Sequence, residues 1–154
     1  MINPVLPYKT PISVLVVIHT PTLDILLLER ALHPGYWQSV TGSLEAGETP
    51  AEAALREVAE ETGLLVPAQQ LRDWRQSREF EIFPEWRRRY APGVTRNTEH
   101  LFSLQIPTRQ RIRLAPAEHR DSCWLPPTEA AARCFSPSNR DAILQIAKLP
   151  ADSC

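Results

Sequence analysis

Two apolar runs open the chain. ISVLVVIH at 12–19 is almost continuously hydrophobic, the pattern of a strand buried on both faces. ILLLERA at 25–31 reads as a second strand, and the turn material at Pro21–Asp24 between them suits a hairpin. Pro34 and Gly35 break the pattern, after which Trp37, Ser39 and Val40 suggest a short strand entering a loop at Gly42. Alternation between Leu71 and Phe83 is uneven and predicts one or two strands. TEHLFSLQI at 98–106 predicts another, RIRL at 111–114 a short edge segment, and 122–125 a return to the sheet after a loop at 115–121. Trp37 reads as core or rim of core.

Helical signals are concentrated at 49–63. Thr49 is a cap and forms a capping box with Glu52, Pro50 suits the first helical position, and Gly63 suits the left-handed residue that ends a helix. At about 100° per residue, Ala51, Leu55, Val58 and Thr62 share the side expected to face a sheet. Glu57, Glu60 and Glu61 then fall on roughly the opposite side. Pro126 and Pro127 stop the preceding strand, and a short helix is expected from Thr128. A last helix has Ser138 as its cap, Ile143, Leu144 and Ile146 as apolar contacts, and Pro150 beyond its end. The sum is an α/β chain with a mixed sheet and helices on both sides.

At 154 residues the chain suits one domain, 1–154, with its core over about 8–148. Net charge is only -1, which implies no broad attraction to nucleic acid or to an anionic membrane. The apolar runs are strand length, too short to span a bilayer. MINPVLPYKT at the start has no charged region followed by a long apolar one, so a secretory signal is not expected and the cytoplasm is the default location. Cys123, Cys134 and Cys154 are odd in number and widely spaced, consistent with free buried thiols.

The acidic face has two readings. It is a solvated surface offset by Arg56, or a preformed cage for a hard cation, which takes clustered oxygen ligands. Acidic pairs three or four apart cost a helix roughly 0.2–0.5 kcal/mol each. Glu60 and Glu61 also lie in the last turn, where the helix dipole disfavours anions. Gly42, Glu48, Arg56, Glu57, Val58, Glu60, Glu61, Gly63 and Leu64 fill every fixed position of a glycine–glutamate–arginine–glutamate pattern. In this pattern the segment GSLEAGETPAEAALREVAEETGL resembles the signature of the Nudix hydrolases.

That resemblance implies an α/β/α sandwich around a mixed sheet and Mg²⁺-dependent hydrolysis of a diphosphate linkage, with Mn²⁺ as an alternative ion. It implies Glu57, Glu60 and Glu61 as catalytic metal ligands, with Glu48 binding directly or through water. Arg56 is expected to bracket the site by gripping a carboxylate or the loop carbonyls. Gly42 and Gly47 let the loop approach the ion closely. Glu118, in APAEHRD, is the distant candidate for general base or for a further metal ligand; His119 and His100 carry weak signals and His19 and His33 weaker ones.

PISVLVVI, WQSVTGSLEAGET, EFEIF and RYAPGVTRNTEH also resemble the branch of the family that acts on a pterin triphosphate in bacterial folate synthesis. This implies release of pyrophosphate from 7,8-dihydroneopterin triphosphate, a small-molecule substrate, by a monomeric enzyme without a nucleic-acid partner. The alternatives are a hydrolase of dATP or other nucleoside triphosphates, and an inactive nucleotide- or RNA-binding module. Arg30, Arg89 and Arg96 are the expected phosphate partners, with Asn97 beside them; Glu79 and Glu81 are either contacts for polar groups of a base or pterin or solvent-exposed strand residues. Arg87, Arg88 and Arg89 sit between Trp86 and Tyr90, either as a solvated loop or as local recognition of an anionic substrate.

Overall fold

The computed structural model describes residues 8–148, so Cys154, Pro150 and the first seven residues lie outside the description. Strand β1 (Ile12–His19) is the centre of the sheet. Its alternate residues enter two cores: Val14, Val16 and Ile18 on one face, Leu15 and Val17 on the other. Burial on both faces accounts for the unbroken apolar run.

Along one edge β1 pairs in parallel with β6 (Arg96–Gln105), which in turn pairs antiparallel with β5 (Leu71–Glu81). The other edge of β1 is shared. β4 (Val40–Ser43) takes Ser13 to Val16, whereas β2 (Ile25–Arg30) meets β1 only at His19 opposite Ile25. The expected hairpin is therefore confined to its base. From there β2 diverges to pair with β3 (Trp37–Gln38) and with β7 (His119–Leu125). The sheet forks between β4 and β2.

Helix α1 (Pro50–Thr62) covers one face; α2 (Pro127–Arg133) and α3 (Pro137–Ala147) cover the other, giving the α/β/α sandwich. α1 begins and ends as its sequence dictates. Thr49 and Glu52 make the reciprocal capping box, Pro50 opens the first turn, and Gly63 closes it with φ 77°. Its buried face, however, is Ala53, Ala54, Glu57, Val58, Glu61 and Thr62. Ala51 is exposed and Leu55 half-buried. Glu57 and Glu61 thus lie inward, at the border of the apolar face, and only Glu60 of the three acids is exposed.

Four other expectations are corrected. Residues 111–114 form no strand: Arg113 N–H donates to the Thr62 carbonyl at 2.9 Å, and Ile112 and Leu114 pack on the α1-side core, so the segment straps the end of α1. β7 starts at His119, three residues inside the expected loop. β7 does end before Pro126, but α2 starts at Pro127, one residue ahead of the expected Thr128, because proline suits the first helical position. The cap of α3 is Ser136, whose Oγ accepts from Asn139 N–H at 3.4 Å; Ser138 lies within the first turn because Pro137 already occupies the first helical position. β5 is a single strand, with a bulge between Asp73 and Ser77 where Arg75 adopts φ 53°. Cys123 and Cys134 are free and half-buried, and Trp37 lies at the rim of the second core.

Candidate active site

The site lies where the sheet forks. The chain crosses from β3 to β4 at Ser39, which is wholly buried and held at both ends by Asn139 of α3. Ser39 N–H donates to Asn139 Oδ1 at 2.7 Å, and Asn139 Nδ2 donates to Ser39 Oγ at 2.9 Å. This fixes Gln38 on one branch and Thr41 and Gly42 on the other.

Gly42 lies directly against Glu57. A Cβ on residue 42 would fall 2.2 Å from Glu57 Cδ and 2.3 Å from its Oε1. The absent side chain is what allows the carboxylate to enter the fork. Arg56 then fixes it: Nη1 donates to Glu57 Oε1 at 2.7 Å, Nε and Nη2 to the two oxygens of Glu48 at 2.7 and 2.9 Å, and Nη2 to the Ser43 carbonyl at 3.0 Å. Glu48 holds Arg56 even more firmly in its charged form, and the guanidinium in turn draws the Glu48 carboxyl below its ordinary range. Glu48 also accepts from Glu45 N–H at 2.9 Å, so both its oxygens are engaged in bracing the loop. Glu60 is exposed, with Arg56 Nη1 at 3.3 Å.

Glu61 is 1% exposed. Its Oε2 is buried with no hydrogen-bond partner, and its Oε1 is 3.4 Å from His119 Nε2. Burial, then the charge of Glu57, pushes the Glu61 carboxyl well above its ordinary range. Burial also raises Glu57, against the pull of Arg56. His119, itself 2% exposed, is held down to about 4 by burial and by the charge of Arg30. A neutral imidazole results, so its contact with Glu61 is not an ion pair. Glu118 lies on the exposed side of the same strand start, and Glu61, Glu118 and His119 each bring a donor atom within 4.8 Å of one another.

This arrangement fits a divalent cation. Two carboxylates whose charges repel, one with an orphaned oxygen, are costly in isolation and favourable around a positive ion.

A basic rim faces these carboxylates. Arg30 Nη1 donates to Gln38 Oε1 at 3.2 Å. Lys9 is pushed down to about 8 by burial and by the charges of Arg89 and Arg30, with Glu57 and Glu118 opposing. Lys9 N–H donates to the Arg89 carbonyl at 2.9 Å, tying the start of the described chain to the turn at Pro84–Arg89.

The remaining candidates pair with one another or with neighbouring strands and turns. Arg96 and Glu79 form an exposed pair, and Glu81 is exposed with Arg87 Nη2 at 4.0 Å. Asn97 is buried; its Nδ2 donates to Ser13 Oγ at 2.7 Å while its Oδ1 has no partner. Sequence reasoning missed Lys9 and Gln38, for which no local signal exists, and undervalued His119, whose only signal is its place beside Glu118.

A family model for the NUDIX domain matches residues 9–146. The chain belongs to the Nudix hydrolase family. Among curated relatives of this Nudix chain, the Escherichia coli K12 dihydroneopterin triphosphate diphosphatase is 50% identical over 142 residues, covering 90% of this chain and 93% of the relative. The Haemophilus influenzae protein of the same name is 41% identical, over 88% of this chain and 87% of its own length. The solved structure of the E. coli dihydroneopterin triphosphate pyrophosphohydrolase superposes with a TM-score of 0.84, at 50% identity, covering 90% of this chain and 95% of that one. Family, fold and carboxylate cluster together make the chain a pyrophosphohydrolase of the Nudix type. Among the described residues, no helix is long and apolar enough to cross a membrane.

Proposed function

We propose that this Nudix hydrolase converts 7,8-dihydroneopterin triphosphate and water to dihydroneopterin monophosphate and pyrophosphate, as a cytoplasmic monomer that takes a small-molecule triphosphate and no nucleic acid. The observation that carries the chemistry is the buried Glu57–Glu61 pair, with its unpartnered oxygen, set opposite the Lys9–Arg30–Arg89 rim. The extent of relationship to the two bacterial proteins of that name supports the pterin substrate over other triphosphates.

Glu57, Glu61 and Glu118 are the residues that would hold Mg²⁺ or Mn²⁺, with Glu60 on the exposed rim a weaker candidate for direct contact. Such an ion supplies neutralisation of charge along the phosphate chain. Lys9, Arg30 and Arg89 take the phosphate oxygens and set the chain in line for attack. Where Glu118 does not hold the ion, its exposed carboxylate accepts the proton of the attacking water. That water adds to phosphorus as the linkage between the α- and β-phosphates breaks, and pyrophosphate leaves. Arg56 touches no substrate; it keeps Glu57 in place.

Timed product analysis with dihydroneopterin triphosphate and Mg²⁺ tests the reading. Equal amounts of monophosphate and pyrophosphate are expected. Orthophosphate as the first product, or a higher kcat/KM for dATP, would reject it.

A further inference from the structure

Arg30 is held in an unusual way for an arginine beside an acidic centre. Among the described residues no carboxylate pairs with it within 4.0 Å; its one side-chain hydrogen bond is to the neutral Gln38. Its guanidinium lies over the ring of Trp86 at 4.9 Å from the centroid. An ion pair would fix the group and also neutralise it. An aromatic face fixes the plane of the guanidinium and leaves its charge and N–H edge for a phosphate.

Trp86 is well placed for this because it is itself immobilised from three directions. Its ring meets Phe83 at 4.9 Å, His33 at 5.6 Å edge-on, and Phe135 at 6.2 Å edge-on, residues from three separate segments of the chain. Tyr36 stacks on both His33 and Phe135, closing the cluster. The turn that carries Trp86 is anchored by Arg87 Nε donating to the Ile82 carbonyl at 3.0 Å and by Lys9 N–H donating to the Arg89 carbonyl at 2.9 Å. The same turn therefore supports two members of the basic rim.

We propose that Trp86 is a positioning residue for substrate binding, its indole face orienting the Arg30 guanidinium toward the phosphate chain without consuming its charge. This rests on the phosphate-binding role of Arg30 given above. A cation–π contact of this kind corresponds to about two- to thirty-fold in affinity.

The test is a double-mutant cycle of Trp86→Leu and Arg30→Ala, with Trp86→Phe as the conservative variant. KM and kcat for the triphosphate are measured, together with calorimetric binding of inorganic pyrophosphate in the presence of Mg²⁺; thermal melts check folding. Trp86→Leu should raise KM and the pyrophosphate Kd by about two- to thirty-fold while kcat changes less than threefold. Trp86→Phe should recover most of the loss, and Trp86→Leu should cost nothing further once Arg30 is alanine. Additive losses in the double variant, equal damage from Phe and Leu, or a loss confined to kcat would each overturn the proposal. The pyrophosphate measurement separates the two readings. If the pterin triphosphate proves to be the wrong substrate, the coupling of Trp86 to Arg30 still stands or falls on pyrophosphate binding.

Discussion

Replacing Gly42 by alanine isolates the geometric claim on which the site depends. The new Cβ would meet Glu57 Cδ at 2.2 Å and its two oxygens at 2.3 and 2.7 Å, where ordinary contact begins at 3.4 Å. The carboxylate must retreat by about 1.2 Å. It cannot do so freely, because Arg56 holds Oε1 at 2.7 Å and Arg56 is itself held by Glu48 and the Ser43 carbonyl. Metal–ligand distances tolerate roughly 0.2 Å, and a misplacement of about 1 Å at a reacting centre costs on the order of 100-fold. Gly42 is not in the left-handed backbone region, so backbone strain adds nothing and overpacking should lower stability by about 1–3 kcal/mol. The expected result is a folded protein whose kcat/KM falls by about 100-fold or more and whose Mg²⁺ requirement moves to higher concentration. Steady-state pyrophosphate release across a Mg²⁺ titration, beside a thermal melt, measures both. A Gly42→Ala protein with unchanged kcat/KM and Mg²⁺ midpoint would show that Glu57 does not act where it stands.

Arg56→Lys should raise the Mg²⁺ concentration for half-maximal activity by about 10–100-fold, since an ammonium cannot span Glu48, Glu57 and the Ser43 carbonyl at once; an unchanged Mg²⁺ profile would remove its bracketing role. Lys9, lowered to about 8 and faced by Arg89, Arg30, Glu57 and Glu118, is charged below that pH and neutral above it. kcat/KM should therefore decline as pH rises from 7 to 9, and Lys9→Arg should flatten that limb; persistence of the limb would assign it to another group. Thr49→Ala removes the acceptor for Glu52 N–H and should lower stability by about 1 kcal/mol, read as a drop in Tm of about 2–4 °C, with kcat changed less than twofold. A large loss of kcat without a drop in Tm would tie the cap to the chemistry.

Local signals were sufficient wherever the physics is local. The ends of α1 follow from Thr49, Pro50, Glu52 and Gly63, and β1 follows from a run that only burial on two faces explains. The inward face of α1 includes Val58 and Thr62 as its periodicity predicts, but not Ala51 or Leu55. Ala51, Ala53 and Ala54 weigh alike in a hydrophobic periodicity, so the small residues cannot set the rotation of the helix. Setting Ala51, Leu55, Val58 and Thr62 inward at about 100° per residue turns the acids outward, and carboxylates also ordinarily prefer water. Glu57 and Glu61 are buried in spite of that preference, and the compensation comes from Arg56 and from the gap that Gly42 leaves. The strap at 111–114 alternates like a strand, but its backbone finds a helix carbonyl instead of a neighbour in the sheet. Lys9 reaches the site only through the pairing of residue 9 with residue 89, a long-range contact invisible to any window along the chain.

The fork in the sheet explains why these groups meet. Had β2 continued alongside β1 as a full hairpin, its backbone would occupy the edge that β4 now takes over Ser13 to Val16. Because β2 leaves after a single pair, two branches diverge, one bearing Arg30 and Gln38 and pairing with the strand of His119, the other bearing Gly42. α1 lies against the second branch and delivers Glu57 and Glu61 into the gap. Arg30 thus comes from one branch and Glu57 and Glu61 from the helix against the other, with Glu118 joining from the β7 side, and the Ser39 crossing that Asn139 secures from α3 holds the point where the branches part. A buried amide far from the acids in sequence, carried by the helix that covers the opposite face, thereby anchors the crossing between the branches. A chain with a net charge of only -1 gathers acids from both branches against the cations of Lys9, Arg30 and Arg89.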